Sequence, residues 1–441
     1  MKQSIKHFIG GLFLLALPLM LTSCEGMFDD IFGEWDRPVK TETSAETPKA
    51  KTAATISFAE TSKTWGSKEG SFTIVASNTG DGAVTYSSND PNVATVDPTT
   101  GEVTPVAVGN TDIIATVSEG ANSTYSTNTT KYALTIGSGY HYLEYILSTG
   151  FFETKYHDGT LLTSSTSDCY LGSPGWFIVK GHVTISNNSN IYIYINANLI
   201  LLDGAKLEIT NGQLYCNAGN ILNIFAQSEG EGMGELVVSC NNNHAIEGGS
   251  DNDLYINGGK ITAKATGTNG KAGIYDFHRL EIFGGKLTAQ GAENTTGTGG
   301  HGISMYTYGT TYPVNILNHA KVEAKGGNST GGNGGDGIKG SVTIKGDASL
   351  TAIGGDSDNN GGYGISNDLN YYGGKFESRR GTKSTSGTNN AYAINTLYNK
   401  TSSSVTFEYY GPTPSWDWYD FTVSGGGSNT TNVHTSRVRK Q

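Results

Sequence analysis

The chain has 441 residues, and its 40 Asp and Glu outnumber its 29 Lys and Arg, which gives a formal net charge of −11. This balance argues against nucleic acid or an anionic lipid surface as a partner, because both require a basic footprint. Only 16% of the residues are charged and 61 are glycine, a composition that favours an extracellular all-β protein.

The first 23 residues have the order of an export signal. Lys2 and Lys6 precede a mainly apolar stretch that ends at Leu21, and small residues follow it. The stretch of roughly 14 residues is shorter than the about 20 that a membrane-spanning helix needs. Pro18 weakens it further as a spanning helix. Residues 1–23 are therefore predicted to be a signal peptide.

The end of this signal resembles the lipobox of bacterial lipoproteins, with the sequence Leu-Thr-Ser-Cys at residues 21–24. The resemblance implies cleavage before Cys24, lipidation of that cysteine and stable attachment to a membrane through several acyl chains. Acidic residues follow closely, as in the surface-export signal of Bacteroidota lipoproteins, which implies an outer-membrane protein exposed at the cell surface: Glu25, Asp29, Asp30, Glu34 and Asp36. Residues 24–53 are predicted to contain the lipidated cysteine, the acidic segment and a flexible tether, because residues 37–53 have Val39 as their only sizeable apolar side chain and cannot fold.

Residues 54–137 contain short alternating segments separated by turn signals, which predicts a β-sandwich. The run from Val84 to Asp97, with 100–104, Gly109 and 113–117, resembles the bacterial Ig-like domain group 2. Domains of that family usually act as spacers, and some occur in adhesins. Nothing in this segment forms a catalytic constellation.

An internal repeat extends through residues 138–400. Residues 254–263 return as 280–289 and then, more loosely, three further times. The polar residue after the turn aligns at Lys206, Glu235, Lys260, Lys286, Lys321, Ser349 and Lys375. A second marker, a small residue followed by isoleucine, keeps the same phase and ends at Ile246, Ile274, Ile303, Ile338, Ile365 and Ile394. Two markers in phase indicate a repeat architecture.

Each unit of about 26 residues has room for three short strands and three turns, which is one coil of a solenoid. We therefore predict a parallel β-helix of about seven coils, roughly 34 Å long at about 4.8 Å per coil. Known examples imply a right-handed helix. A β-propeller is the weaker alternative, because its blades need about 40 residues.

Both ends of a solenoid require caps. Residues 142–147 are predicted to form a short helix over the first coil, and residues 401–441 a C-terminal cap and tail. The aromatic residues Trp416, Trp418 and Tyr419 in that tail are the candidate glycan platform, and packing in the cap is the alternative role for them. Further tyrosines are candidates for a lateral face: Tyr255, Tyr275, Tyr306, Tyr308, Tyr371 and Tyr372.

The repeat segment resembles Gly-rich domains of cell-adhesion or carbohydrate-binding type in gut bacterial surface proteins, notably at residues 175–185 and 201–209. Residues 300–302 also resemble the Gly-His-Gly segment of polygalacturonases, which are β-helical enzymes. That family has an Asp-Asp pair upstream, and residues 140–300 contain none. His301 also occupies the position that Ala272, Asp336 and Tyr363 take in other repeats. We therefore expect a repeat residue and no enzyme.

We expect no cofactor and no metal site. Two acidic turns, with Asp251 and Asp253 in one and Asp356 and Asp358 in the other, contain oxygen ligands of the kind calcium uses, but such residues also form ordinary turns. Cys216 and Cys240 lie about one coil apart and form either a buried free pair or a disulfide.

The sequence thus predicts a lipid-anchored surface protein that binds a glycan or another host-surface ligand without catalysis. A β-helical polysaccharide lyase or hydrolase is one alternative. A structural surface component without a specific ligand is another. The identity of the ligand, the face that binds it and the oligomeric state are open at this stage.

Overall fold

A computed structural model describes residues 51–120, 125–173, 175–249, 251–307, 309–385, 388–411, 417–427, 429–433 and 437–441. All regular structure in these residues is β-strand, which confirms the predicted all-β class. The predicted signal peptide and Cys24 lie outside the described residues. Among the described residues, no helix is long and apolar enough to cross a membrane.

The first domain is a sandwich. Its larger sheet has four strands in the order Ser62–Gly66, Asn128–Gly137, Gly109–Val117 and Val84–Ser88. Its smaller sheet has three, Phe72–Thr73, Glu102–Pro105 and Ala94–Val96. Two short pairs complete it, Thr52–Ala53 with Tyr125–Ser126 and Ile56–Ser57 with Ser77–Asn78. The core between the sheets contains Ile113, Tyr132 and Leu134, each at most 1% exposed.

The second domain is a parallel β-helix whose coils contain three strands, and like strands of successive coils pair as ladders A, B and C. Ladder A consists of Cys169–Leu171, Ile191–Ile193, Leu214–Cys216, Ile246–Glu247, Ile274–Tyr275, Ile303–Ser304 and Ile338–Lys339. Ladder B consists of Thr160–Leu161, Trp176–Val179, Ala197–Leu201, Ile221–Ala226, Asp253–Ile256, Arg279–Ile282, Pro313–Leu317 and Ser341–Lys345. Ile365–Tyr371 and Ile394–Asn399 end both ladders.

Ladder C consists of His182–Ile185, Lys206–Thr210, Glu235–Cys240, Lys260–Ala265, Lys286–Gln290, Lys321–Lys325, Ser349–Ile353 and Lys375–Arg379. Lys206 pairs with Glu235, and the pairing continues rung by rung to Ser349 with Lys375. This is the alignment that the sequence predicts. The rung that starts at His182 precedes those identified from the sequence.

Alternation along the strands fills the interior. The marker isoleucines of ladder A, from Ile246 to Ile394, are all 0% exposed. Leu207, Leu236, Ile261 and Leu287 of ladder C face the same core. Because a single coil has only a few such side chains, the core exists only when coils are stacked.

Glycine-rich loops connect ladder C to ladder A in the later coils, and their backbones pack directly on one another. Successive N–H groups donate to carbonyls at 2.7–2.9 Å in an unbroken series, here called the glycine stack: Ala292, Gly300, Gly327, Gly335, Gly355, Gly362 and Gly381. A Cβ built on any of the six glycines would overlap a backbone carbonyl oxygen of a neighbouring limb. The high glycine content therefore follows from backbone packing.

The predicted N-terminal helix at residues 142–147 is wrong. The segment Tyr140–Ile146 is a strand that pairs antiparallel with Phe151–His157. This hairpin lies along several coils: the Tyr142 ring is 4.7 Å from that of Phe225, and the Tyr145 ring is 4.9 Å from that of Phe283. It covers the outer side of ladder B.

The C-terminal segment adds antiparallel strands to the last coil. Arg437–Lys440 pairs with Lys375–Arg379, and Asn429–Val433 pairs with Ile394–Asn399. Val405–Gly411 lies beside Arg437–Lys440, and Asp417–Val423 beside Val405–Gly411. Phe407 is 0% exposed and packs on Tyr371. These strands cover backbone groups that the final coil would otherwise expose.

Candidate binding face on ladder A

Ladder A presents aromatic side chains to solvent along its first coils. The middle residues of three successive strands are Tyr170, Tyr192 and Tyr215, which are register partners. Tyr194 lies beside them, and Glu247 and then Tyr275 continue the same column. Because side chains alternate across a strand, these residues share the outer side. We call Tyr170, Tyr192, Tyr194, Tyr215 and Tyr275 the tyrosine row.

Four rings of the row, all but Tyr275, contact one another. Tyr170 and Tyr192 stack with centroids 5.4 Å apart and planes 13° apart. Tyr194 lies 5.9 Å from Tyr170, and Tyr215 lies edge-on to Tyr192 at 6.0 Å. Tyr170 remains 61% exposed and Tyr194 51% exposed. The first coils therefore present a cluster of stacked, partly exposed aromatic rings to solvent.

A second column borders the row. It contains the residue before each small residue–isoleucine marker, and we call it the slot column: His244, Ala272, His301, Asp336, Tyr363 and Tyr392. Several of its side chains accept the backbone N–H of the next coil. Nδ1 of His244 accepts from Ala272 at 2.8 Å, and Oδ1 of Asp336 accepts from Tyr363 at 2.9 Å. The His244 ring also stacks on Tyr275 at 3.9 Å.

Burial is the main cause that lowers the pKa of His244 to about 3, and repulsion of a proton by Lys271 and His301 contributes to the same shift. The neutral ring is the form that fits, because a proton on Nδ1 would meet the N–H of Ala272. Burial likewise lowers the pKa of His301, against the opposing effect of Asp336. Both imidazoles therefore stay neutral in the folded protein at pH values where free histidine is protonated.

This predicts acid sensitivity. Below about pH 6.5 the unfolded chain binds a proton at His244 that the folded chain does not, so the free energy of unfolding falls as the pH falls. His244→Asn keeps an acceptor for Ala272 without the titration. Urea unfolding at several pH values between 7 and 5 gives the free energy of unfolding as a function of pH. We expect this free energy to fall less steeply with pH in the variant, by up to about 1.4 kcal/mol per pH unit for one proton. Equal slopes would contradict the assignment.

In the later coils the same face forms a groove. A cavity of about 520 Å³ is lined by residues that include His301, Asp336, Lys339, Asn360 and Tyr363. Its lining combines an aromatic ring with hydrogen-bonding groups, as sites for polar ligands do. The groove and the tyrosine row lie on the same ladder.

His301 has a structural role in this groove. Its Nδ1 accepts the backbone N–H of Asp336 at 2.9 Å and lies 3.5 Å from the carboxylate of that residue. The ring thus replaces a backbone acceptor between two coils. This is the role of a repeat residue, which is how the sequence places His301.

Known proteins resemble part of the chain. Residues 66–127 match the family model for the bacterial Ig-like domain (group 2). The sandwich is an Ig-like domain. This match confirms the resemblance found in the sequence, and families of this kind point to a surface or adhesion role. No curated protein matches the chain.

Two of the three glycan-platform candidates predicted from the sequence, Trp418 and Tyr419, lie apart from the tyrosine row. Trp416 lies outside the described residues, while Trp418 and Tyr419 belong to a strand whose backbone pairs with Val405–Gly411 at the C-terminal end. Tyr371, a candidate for a lateral face, is only 5% exposed. Of the other lateral candidates, Tyr275 is in the row and Tyr255 is on ladder B.

The acidic turns bind their own surroundings. Asp253 accepts the hydroxyl of Tyr255 at 3.0 Å, and Asp356 accepts the N–H of Thr382 at 2.7 Å. Asp358 accepts the hydroxyl of Ser384. Within the described ranges, no group of three or more His, Cys, Asp or Glu side chains is placed to hold a metal ion. The two interpretations of these turns, as calcium ligands or as ordinary turns, remain predictions from the sequence.

Cys216 and Cys240 are both free and buried. Of the two arrangements predicted from the sequence, the structure therefore has free thiols and not a disulfide. They do not stack, because Cys216 lies on ladder A and pairs with Ile193 while Cys240 lies on ladder C and pairs with Ala265. Burial raises the pKa of Cys216 to about 12, which keeps its thiol protonated and unreactive.

Proposed function

We propose that this chain is a lipid-anchored surface protein that binds glycans without catalysis, through ladder A of its β-helix. The tyrosine row carries the proposal. Pyranose rings present C–H faces that pack on flat aromatic rings, and exposed stacked tyrosines provide such a platform. The spacing of about 4.8 Å between coils is close to the length of one sugar in an extended chain, so successive rings can contact successive sugars.

Polar groups beside the row support recognition of hydroxyls. Asn190 donates from its amide to the hydroxyl of Tyr192 at 3.1 Å, and Asp168 accepts the N–H of Asn190 at 2.8 Å. These contacts fix polar atoms at the edge of the rings. A ligand that extends along the face would make several weak contacts at once, and their combined affinity exceeds that of any one.

Attachment to the outer membrane rests on the sequence. Lipid on Cys24, the acidic residues behind it and the tether to residue 53 would hold the Ig-like domain and the β-helix outside the cell. Cys24→Ala should release the protein from the membrane fraction and abolish its labelling by radioactive palmitate in cells. Membrane retention of the variant would overturn the anchor.

Replacing Tyr192 tests the glycan proposal, because this ring contacts three others of the row. A glycan array identifies a ligand, and isothermal titration then compares the variants. One aromatic contact contributes about 0.5–1.5 kcal/mol, so Tyr192→Ala should weaken binding about two- to tenfold. Tyr192→Phe, which keeps the ring, should bind nearly as the parent.

The matched control is Tyr372→Ala, because Tyr372 is also exposed but lies outside the row. Its affinity should equal that of the parent. An array without hits, or equal binding by the Tyr192 and Tyr372 alanine variants, would contradict glycan binding at this face. Binding to a protein ligand instead would favour an adhesin of another specificity.

One observation favours the enzyme alternative. Burial raises the pKa of Glu247, Lys271 opposes that effect, and the neighbouring Asp276 raises it further. A carboxyl with a raised pKa beside a second carboxyl is an arrangement that glycoside hydrolysis uses. Our proposal expects no new reducing or unsaturated ends after incubation with pectins, alginate or chondroitin. Products that form with the parent and not with Glu247→Gln would establish the enzyme.

A further inference from the structure

The first residues of the ladder C strands form a column that is rich in lysine. Lys260 has acceptors close to its ammonium group. Its Nζ donates to the backbone oxygen of Glu231 at 2.5 Å and lies 3.8 Å from the carboxylate of Glu235. Lys286 and Lys321 are different. They are direct register partners on neighbouring strands, both are exposed, and neither has a carboxylate within 4.0 Å among the described residues.

Like charges placed directly opposite each other on a sheet destabilise it. In a chain with a formal charge of −11, carboxylates to pair with these lysines are plentiful. Lys286 and Lys321 are thus two ammonium groups at adjacent positions without a carboxylate at ion-pair distance among the described residues. An anion placed between them would remove the repulsion.

The two lysines line a built cavity. Its volume is about 490 Å³, in the range of small-ligand sites, and its lining includes Lys260, Lys286, Lys321, Met233 and Glu229. The side chain of Glu229, from the loop before Glu235, lies 3.7 Å from His319. His319 precedes the ladder C strand that starts at Lys321, which is three rungs beyond the strand that starts at Glu235. The contact between Glu229 and His319 therefore spans the coils beside the cavity.

The lining also indicates the kind of anion. Lysines provide donors for an anionic group, while the carboxylates of Glu229 and Glu231 accept hydrogen bonds from hydroxyls. Met233, 8% exposed, provides an apolar contact. Donors, acceptors and an apolar surface together suit a sugar that carries a charge better than a simple inorganic ion.

We propose that this cavity is a second binding site, for the carboxylate or sulfate of an acidic saccharide held by Lys286 and Lys321. It lies on ladder C and is separate from the tyrosine row on ladder A. The site is therefore independent of the function proposed above, and either can fail without the other.

The test uses the full-length protein and isothermal titration with three probes: a galacturonate oligomer, a sulfated oligosaccharide and a neutral oligosaccharide. The parent should bind at least one acidic probe, more weakly as salt is raised. Lys286→Gln combined with Lys321→Gln should reduce that affinity about tenfold or more. The carboxylate and sulfate probes distinguish the two anionic groups.

Lys375→Gln is the matched control, because Lys375 belongs to the same column but does not line the cavity. It should bind the acidic probes as the parent does, and so should Tyr192→Ala. Without ligand, the double variant should unfold at the same or a higher temperature, since its repulsion is gone. Failure of both acidic probes to bind, or equal affinity of the double variant and the parent, would overturn the proposal.

Discussion

Gly335→Ala should destabilise the β-helix by about 1–3 kcal/mol or more. Gly335 is in the glycine stack, where its N–H donates to Gly327 at 2.9 Å and its carbonyl accepts from Gly355 at 2.8 Å. A Cβ at this position would overlap the carbonyl oxygen of Gly300. Backbone atoms cannot move aside as a side chain can, so neighbouring limbs must separate. The midpoint of urea unfolding measures the loss.

Gly232→Ala is the control for this effect. Its Cβ would have no atom within 4 Å, and its φ is not in the left-handed region. Alanine there should leave the free energy of unfolding within about 0.5 kcal/mol or raise it slightly, because the unfolded chain loses freedom. Equal losses at Gly335 and Gly232 would show that close packing in the stack is not the reason for the glycines.

The sequence predicts the β-helix well where two markers keep phase. The residues aligned from Lys206 to Lys375 are consecutive register partners in ladder C. A solenoid stacks equivalent residues, so periodicity in sequence becomes register in space. No such periodicity exists at the N-terminal end of the solenoid, and the prediction of a helix fails there.

The N-terminal hairpin shows why. A helix is predicted at residues 142–147, but Tyr140 and Tyr142 are buried and His141 between them is less so, as in a strand. Another part of the chain does indicate that ladder B is covered on its outer side. Phe177, Ile178 and Val179 are consecutive and all buried, which requires burial on both sides of the strand. Something must therefore cover ladder B, and the hairpin does so.

The tyrosine row was missed for a related reason. Tyr170, Tyr192 and Tyr215 recur at intervals of 22 and 23 residues, shorter than the repeat of about 26 in later coils. The first coils lack the long glycine-rich loops, and the small residue–isoleucine marker begins only at Ile246. Without that marker, the sequence does not place the three tyrosines in one column.

Glu69→Ala should loosen the junction between the Ig-like domain and the β-helix. The Glu69 side chain is 4% exposed, and its Oε1 accepts the backbone N–H of His141 at 2.7 Å and the amide of Gln227 at 2.8 Å. The His141 ring is also 2.7 Å away. Removing the Glu69 carboxylate leaves the buried donors that it accepts from without a partner, at a cost of about 1–3 kcal/mol. Hydrogen–deuterium exchange at the His141 amide reports the change directly.

Glu60→Ala separates this effect from the loss of a carboxylate in general. Glu60 borders the same cavity as Glu69, but its side chain is 54% exposed and lies 3.9 Å from Lys63, an ion pair worth about 0–1 kcal/mol. Its variant should exchange at His141 as the parent does, while Glu69→Ala should exchange much faster. Equal protection in both variants would mean that the backbone bonds from Ser67 to Gly137 and from Lys68 to Gly139 hold the junction without Glu69. Faster exchange confined to Glu69→Ala would show that this buried carboxylate protects the start of the β-helix hairpin from the Ig-like side of the junction.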